Sequence, residues 1–151
     1  MFRIALIFIV SCFLSCSNTT HEEYKSFKND TWHADSVLMF EYFIEDTTKV
    51  YKLDLTIRYT TNYKFQNLFL FLSESVVDTL DIKLKEKDGK PTGKGLTDIR
   101  EITVNIADKK TYEKRGKYIL NIEQAMRYGK HEVISNLQNI KDVGLIISSY
   151  E

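Results

Sequence analysis

Apolar and polar residues alternate with period two along most of this chain, and that spacing admits few folds. Tyr51, Leu53, Leu55, Ile57 and Tyr59 are interleaved with Lys52, Asp54, Thr56 and Arg58. Successive side chains of an extended strand point to opposite faces, so such a row has one face for a core and one for water. The same spacing recurs in Leu38, Phe40, Tyr42 and Ile44; in Leu80, Ile82 and Leu84; in Ile102, Val104 and Ile106; and in Val143, Leu145 and Ile147. Residues 68–72 (LFLFL) are apolar throughout, which predicts a central strand covered on both sides. Residues 118–122 predict a further strand.

Turn signals separate these rows. They are residues 45–48 (EDTT), 60–62 (TTN) and, most clearly, 88–95 (DGKPTGKG), which hold the only proline and half of the six glycines. About eight short strands punctuated in this way predict a single antiparallel β-sandwich, jelly-roll-like, over residues 31–151. Helix is expected only as a turn or two at 122–128 (IEQAMRY) and 135–140, the latter capped by Ser135.

The first fifteen residues follow another pattern. Arg3 is their only charge, and residues 4–10 (IALIFIV) form an unbroken apolar run continued by Phe13 and Leu14. That length suits the apolar region of a signal peptide, roughly 7–15 residues, and falls short of the about 20 needed to cross a bilayer. Residues 1–15 therefore predict a cleaved leader. Two Ser-Cys pairs offer a cleavage site, at Cys12 and at Cys16. Cutting before Cys12 leaves a short apolar run, whereas cutting before Cys16 leaves a fuller one. The sequence before Cys16 (FLS) resembles the bacterial lipobox, with Phe13 where leucine is commonest. Cys16 is thus the expected lipidation site, carrying palmitate and other acyl chains, and residues 16–30 are expected to be the lipid anchor and a flexible tether. Two acyl chains suffice for stable membrane attachment.

Both cysteines lie at or before that cut, so the mature domain has no thiol with which to form a disulfide, and its core alone must hold it. The leader contains one basic residue and no acid, leaving 20 basic against 21 acidic residues in the remainder. With no basic excess, nucleic acid is an unsuitable partner. His21, His33 and His131 share no metal-ligand spacing, so no metal and no cofactor is expected. Residues 93–95 (GKG) lack the Lys-Ser/Thr pair of a phosphate loop. No Gly-x-Ser-x-Gly occurs, and carboxylates such as Asp98 and Glu101 are what a surface loop contains. The chain predicts no catalytic residues and no enzyme.

Aromatic residues are abundant: nine Tyr, six Phe and one Trp follow the leader. Most fall on apolar strand faces. Trp32, Tyr63 and Tyr128 fall in loops, where rings serve as platforms for protein or sugar, and with Arg127 they make up the candidate binding surface. Trp32 has an equal alternative as a plug for the end of the sandwich. Arg58 and Arg127 lie beside apolar rows and are expected to pair with acids such as Asp142 or Glu123.

Residues 32–36 (WHADS), 51–58 (YKLDLTIR), 63–68 (YKFQNL), 122–127 (IEQAMR) and 137–147 (LQNIKDVGLII) together resemble the GldH family of gliding-motility lipoproteins. The likeness extends through Asp78-Thr79-Leu80, Asp88-Gly89 and residues 93–95. It departs at Pro91-Thr92 and in the charged stretch 108–115 (DKKTYEKR). The resemblance implies an accessory lipoprotein of the cell envelope that serves gliding and the associated protein-secretion machinery by binding other envelope proteins. It implies no catalytic residue. Ser17 points to the outer membrane, and the lack of acids directly after Cys16 points to its periplasmic face. The rival expectation is a carbohydrate- or peptidoglycan-binding module, argued from jelly-roll folds that bind sugars through loop aromatics.

Overall fold

The computed structural model describes residues 18–130 and 132–150. The expected leader, Cys16 and His131 lie outside the described residues. The strands are β1 (Thr19–Ser26), β2 (Thr31–His33), β3 (Leu38–Ile44), β4 (Tyr51–Thr60), β5 (Asn67–Ser73), β6 (Val77–Lys83), β7 (Ile99–Lys110), β8 (Gly116–Gln124), β9 (Arg127–Tyr128), β10 (Glu132–Val133), β11 (Asn136–Gln138) and β12 (Ile140–Ser149). Eight long strands form two antiparallel four-stranded sheets, β1-β12-β4-β7 and β3-β8-β5-β6. Counted among themselves in chain order, these strands run 1-8-3-6 and 2-7-4-5, the order of a jelly-roll sandwich. Two small ribbons, β11-β2 and β10-β9, complete the fold.

The alternating rows do what their spacing predicts. Tyr51, Leu53, Leu55, Ile57 and Tyr59 of β4 all point inward and are buried, as are Leu38, Phe40, Tyr42 and Ile44 of β3 and Val143, Leu145 and Ile147 of β12. They meet in one hydrophobic cluster between the sheets. Tyr59 reaches across it and donates its hydroxyl to the carbonyl of Leu84 at 2.7 Å.

Four expectations need correction. Residues 19–26, expected to belong to a flexible tether, form edge strand β1, with Glu23 opposite Leu145 of β12. An edge strand needs only one ladder of backbone hydrogen bonds, so a polar segment can occupy it. Residues 122–128 are not helical. Ile122, Gln124 and Met126 alternate inward, and the Gln124 amide donates to Ile134 O at 2.7 Å while accepting from Met126 N at 3.0 Å. Residues 136–138 likewise pair as β11, which sets Leu137 beside Trp32. Finally, the run LFLFL is covered on one side only. Leu68, Leu70 and Leu72 enter the core, while Phe69 and Phe71 face outward, because their sheet has a single partner sheet.

The glycine-rich segment makes the expected turn and then a second contact. Gly89 takes a φ of +84° at the tip, and the chain returns so that Lys94 and Glu101 exchange backbone hydrogen bonds at 2.8 and 2.9 Å. A Cβ on Gly93 would lie 2.8 Å from Glu101 O, so only glycine lets the strand approach β7 this closely.

Candidate functional site

The outer face of β3-β8-β5-β6 presents large apolar side chains to water. The register aligns Met39, Asn121, Ser73 and Val77 in one row across the sheet, and Glu123, Phe71 and Thr79 in the next. Phe69 stands beside Asp81, Phe43 beside Lys117, and Ile119 beside Glu41. Met39 is 49% exposed, Phe43 51% and Phe71 39%. Single exposed apolar residues are ordinary, but several adjoining on one face mark an interaction surface. Around them, Lys117 pairs with Glu41 at 3.2 Å, Asn67 donates to Asp81 at 3.1 Å, and the Arg115 guanidinium lies 5.8 Å from the centre of the Phe43 ring.

The opposite outer face, on β1-β12-β4-β7, is polar and internally paired. Arg58 donates to both carboxylate oxygens of Asp142 at 2.7 and 2.5 Å. That pair raises the pKa of Arg58 further through the hydrogen bond to Asp142. Thr56 and Thr103 share a hydrogen bond at 3.0 Å, and Asp54 accepts from Lys52 at 2.7 Å and from Asn105 at 3.0 Å. The Tyr24 ring lies across Gly144, so close that a Cβ there would meet it at 2.3 Å. Arg58 sits over that ring at 5.7 Å.

One end of the sandwich closes on tyrosines. Tyr42 donates to Glu74 and shares a hydrogen bond with Tyr112 at 2.9 Å. Tyr42 and Tyr118 stack at 6.0 Å, and Tyr51 meets Tyr112 edge-on at 5.5 Å. Burial pushes the Tyr42 hydroxyl well above its ordinary value, and its hydrogen bond to Glu74 adds to the shift; burial raises Tyr112 likewise. A depression of about 660 Å³ opens beside them, lined by Glu74, Lys110, Tyr112, Lys114 and Tyr118 among others. The Glu74 carboxylate there is occupied on both oxygens, one by Tyr42 and one by Lys110. Among the described residues no group of three or more His, Cys, Asp or Glu could hold a metal ion.

The residues singled out from the sequence do not form one surface. Trp32 is wholly buried, stacks on Phe27 at 4.8 Å and donates Nε1–H to Ser36 O at 3.0 Å, so it plugs the sandwich end. Tyr63 is also wholly buried, edge-on to Tyr59, with its hydroxyl on Asn67 O at 2.9 Å. Only Arg127 and Tyr128 are exposed, Tyr128 at 72%, on the β9-β10 ribbon. Of the two arginines expected to pair with acids such as Asp142 or Glu123, Arg58 pairs with Asp142, whereas Arg127 and Glu123 make no ion pair with each other. The apolar outer face was missed. Its signal was the second set of alternating residues in LFLFL, the phenylalanines.

Comparison with known proteins gives a consistent family. The sequence matches the family described as GldH lipoprotein over residues 19–147. The gliding motility lipoprotein GldH of Flavobacterium johnsoniae is 36% identical, covering 95% of this chain and 91% of that one. A gliding motility lipoprotein GldH homolog of Christiangramia forsetii is 34% identical, covering 93% and 91%. Among solved structures, the CBM35 from Cellvibrio japonicus Abf62 aligns with a TM-score of 0.35 at 14% identity, over 91% of this chain and 94% of that one, a likeness too slight to bear on ligand or function.

Proposed function

Because the chain belongs to the GldH lipoprotein family, we propose that it serves gliding motility as a membrane-anchored binding protein, with the outer face of β3-β8-β5-β6 as its contact surface. In this reading lipid on Cys16 holds the domain at the outer membrane, on the periplasmic side. Its partners are other envelope proteins of the gliding and secretion machinery. No helix among the described residues is long and apolar enough to cross a membrane, which suits attachment by lipid. β1 starts at Thr19, three residues after Cys16, and three residues span at most about 10 Å. The domain would therefore ride close to the bilayer.

The observation that carries the reading is the cluster Met39, Phe43, Phe69, Phe71 and Val77, exposed on one sheet of a domain whose opposite face is polar. Apolar surface left in water forgoes the free energy of burial until something covers it, so a contiguous patch of it marks a place for a partner. A binding role is favoured over catalysis because Glu74, an acid in the depression beside the tyrosines, is held on both oxygens. The glycan reading loses its platform, since two of its three rings, Trp32 and Tyr63, belong to the core.

The test is Phe71→Ser in a gliding bacterium that depends on this protein. The expected outcome is loss of gliding with normal protein level and unchanged melting. Full gliding with the substituted, folded protein present would overturn the assignment of this face.

A further inference from the structure

The contact surface carries acceptors that no described residue satisfies. Glu123 projects from β8 beside Phe71, its cross-strand partner in β5, and is half-buried there. It makes no ion pair or hydrogen bond with any described residue. The other acids of the face are engaged, Glu41 by Lys117 and Asp81 by Asn67. Two residues before Glu123 on the same side of β8, the Oδ1 of Asn121 is shut off from water with no hydrogen-bond partner. No described residue makes a hydrogen bond to the Asn121 side chain, so turning its Oδ1 toward an incoming donor would break none.

We propose that this face binds an apolar protein segment bearing one arginine, whose guanidinium pairs with Glu123, stacks on Phe71 and donates to Asn121. The proposal rests on the reading of the face as a contact surface and adds the chemistry of what it contacts. A carboxylate and a carbonyl oxygen both accept, so the partner must bring donors, and a half-buried carboxylate favours a charged one. Arginine suits the site better than lysine. Its planar group has donors along several edges and lies flat on an aromatic ring, whereas an ammonium is a compact, strongly hydrated charge. The chain already shows such a contact on this face, where Arg115 lies over Phe43. Met39, opposite Asn121, and Phe69, on the same side of β5 as Phe71, call for apolar neighbours on either side of that arginine. Directly opposite residues across a strand pair stand about 4.5–5.5 Å apart at Cβ, so one guanidinium can touch the Phe71 ring and the Glu123 carboxylate together.

The experiment places a photo-crosslinking residue at Met39 of the full chain in gliding cells and sequences the captured peptide. The expected product is a protein segment with an arginine within a few residues of the crosslink, flanked by apolar residues. Its yield should fall about tenfold in Glu123→Gln, a change that keeps the side chain's shape and removes its charge. Capture of lipid, of glycan, of a second copy of this chain or of a segment without arginine would overturn the proposal. So would no capture at all, or a yield that Glu123→Gln leaves unchanged. Phe71→Ser separates the two levels. If it abolishes capture and gliding while Glu123→Gln affects neither, the arginine is wrong and the contact surface stands. If neither variant alters gliding although both are present with wild-type melting, the contact surface itself is wrong.

Discussion

The two outer faces of the sandwich are built from the same alternation and end in opposite states. On β1-β12-β4-β7 several outward polar groups are paired with one another: Arg58 with Asp142, Thr56 with Thr103, Asp54 with Lys52 and Asn105. Tyr24, the large ring on that face, lies across Gly144 and under the Arg58 guanidinium, although it is still 40% exposed. On β3-β8-β5-β6 the rings of Phe43, Phe69 and Phe71 stay exposed, and Glu123 has no partner among the described residues. One face is complete within the chain and the other is not. Alternation thus decides that there is a sandwich, while the residues at the outward positions decide which side of it is available to a partner.

The largest effect expected bears on neither face and so sets their baseline. Tyr42 and Tyr112 have hydroxyl pKa values raised above the ordinary 10, chiefly by burial. A tyrosine whose folded pKa is raised stabilises the fold fully below its unfolded pKa, and that contribution is lost as pH climbs from there toward the folded value. The melting temperature should therefore be flat from neutral pH to about 9 and fall steeply above about 10. Thermal melts across that range check it, and substituting Tyr42→Phe together with Tyr112→Phe should flatten the fall. A decline equally steep in that variant would place the alkaline sensitivity elsewhere.

Next comes the complete face. Asp142→Ala removes the buried half of an ion pair whose other half remains partly in water. The expected loss is about 2 kcal/mol, below that for breaking a fully buried pair because Arg58 stays solvated. A drop of about 6–8 °C in melting temperature would register it. Gly144→Ala should cost about 1 kcal/mol by pushing the Tyr24 ring off Gly144 and away from Arg58. The chemical shifts of the Tyr24 ring protons should move with it. If neither variant changes melting, the pairing on this face contributes nothing, and the two faces differ only in polarity.

Much of this was legible in the residues, and the failures have physical causes. The rows of β3, β4 and β12 stand out because each buries one side and wets the other. That Arg58 would meet an acid such as Asp142 was legible from its polar position beside an apolar row, while which acid it meets is set by the register of β4 and β12. β1 could not be found, because THEEYKS has no apolar face and its place is fixed by backbone hydrogen bonds to β12. Tyr63 read as a loop platform, and Trp32 stayed open between platform and plug, for a related reason. A ring between strands can serve as a platform or as a plug, and what selects the plug is a carbonyl in reach, Ser36 O for one and Asn67 O for the other. Those carbonyls are set by the folded chain and leave no mark in the pattern. The run LFLFL hides its outward half because an apolar stretch does not say whether it has one covering layer or two.

The smallest expected effect on stability belongs to the incomplete face, and it is the sharpest test of the comparison. Phe69→Thr with Phe71→Thr replaces two outward rings by residues equally suited to a strand. If the rings only look outward, the chain gains almost nothing from them, and melting should stay within about 0.5 kcal/mol of the parent. Binding of a fluorescent apolar dye should drop at the same time, since the patch it reports has gone. If instead the double variant loses more than about 2 kcal/mol, the rings are covered by the chain itself in solution and the face is as closed as its opposite. Unchanged stability with lost dye binding would mean that these two aromatic side chains do little for the fold that carries them, and that a reason to keep them must lie in another molecule.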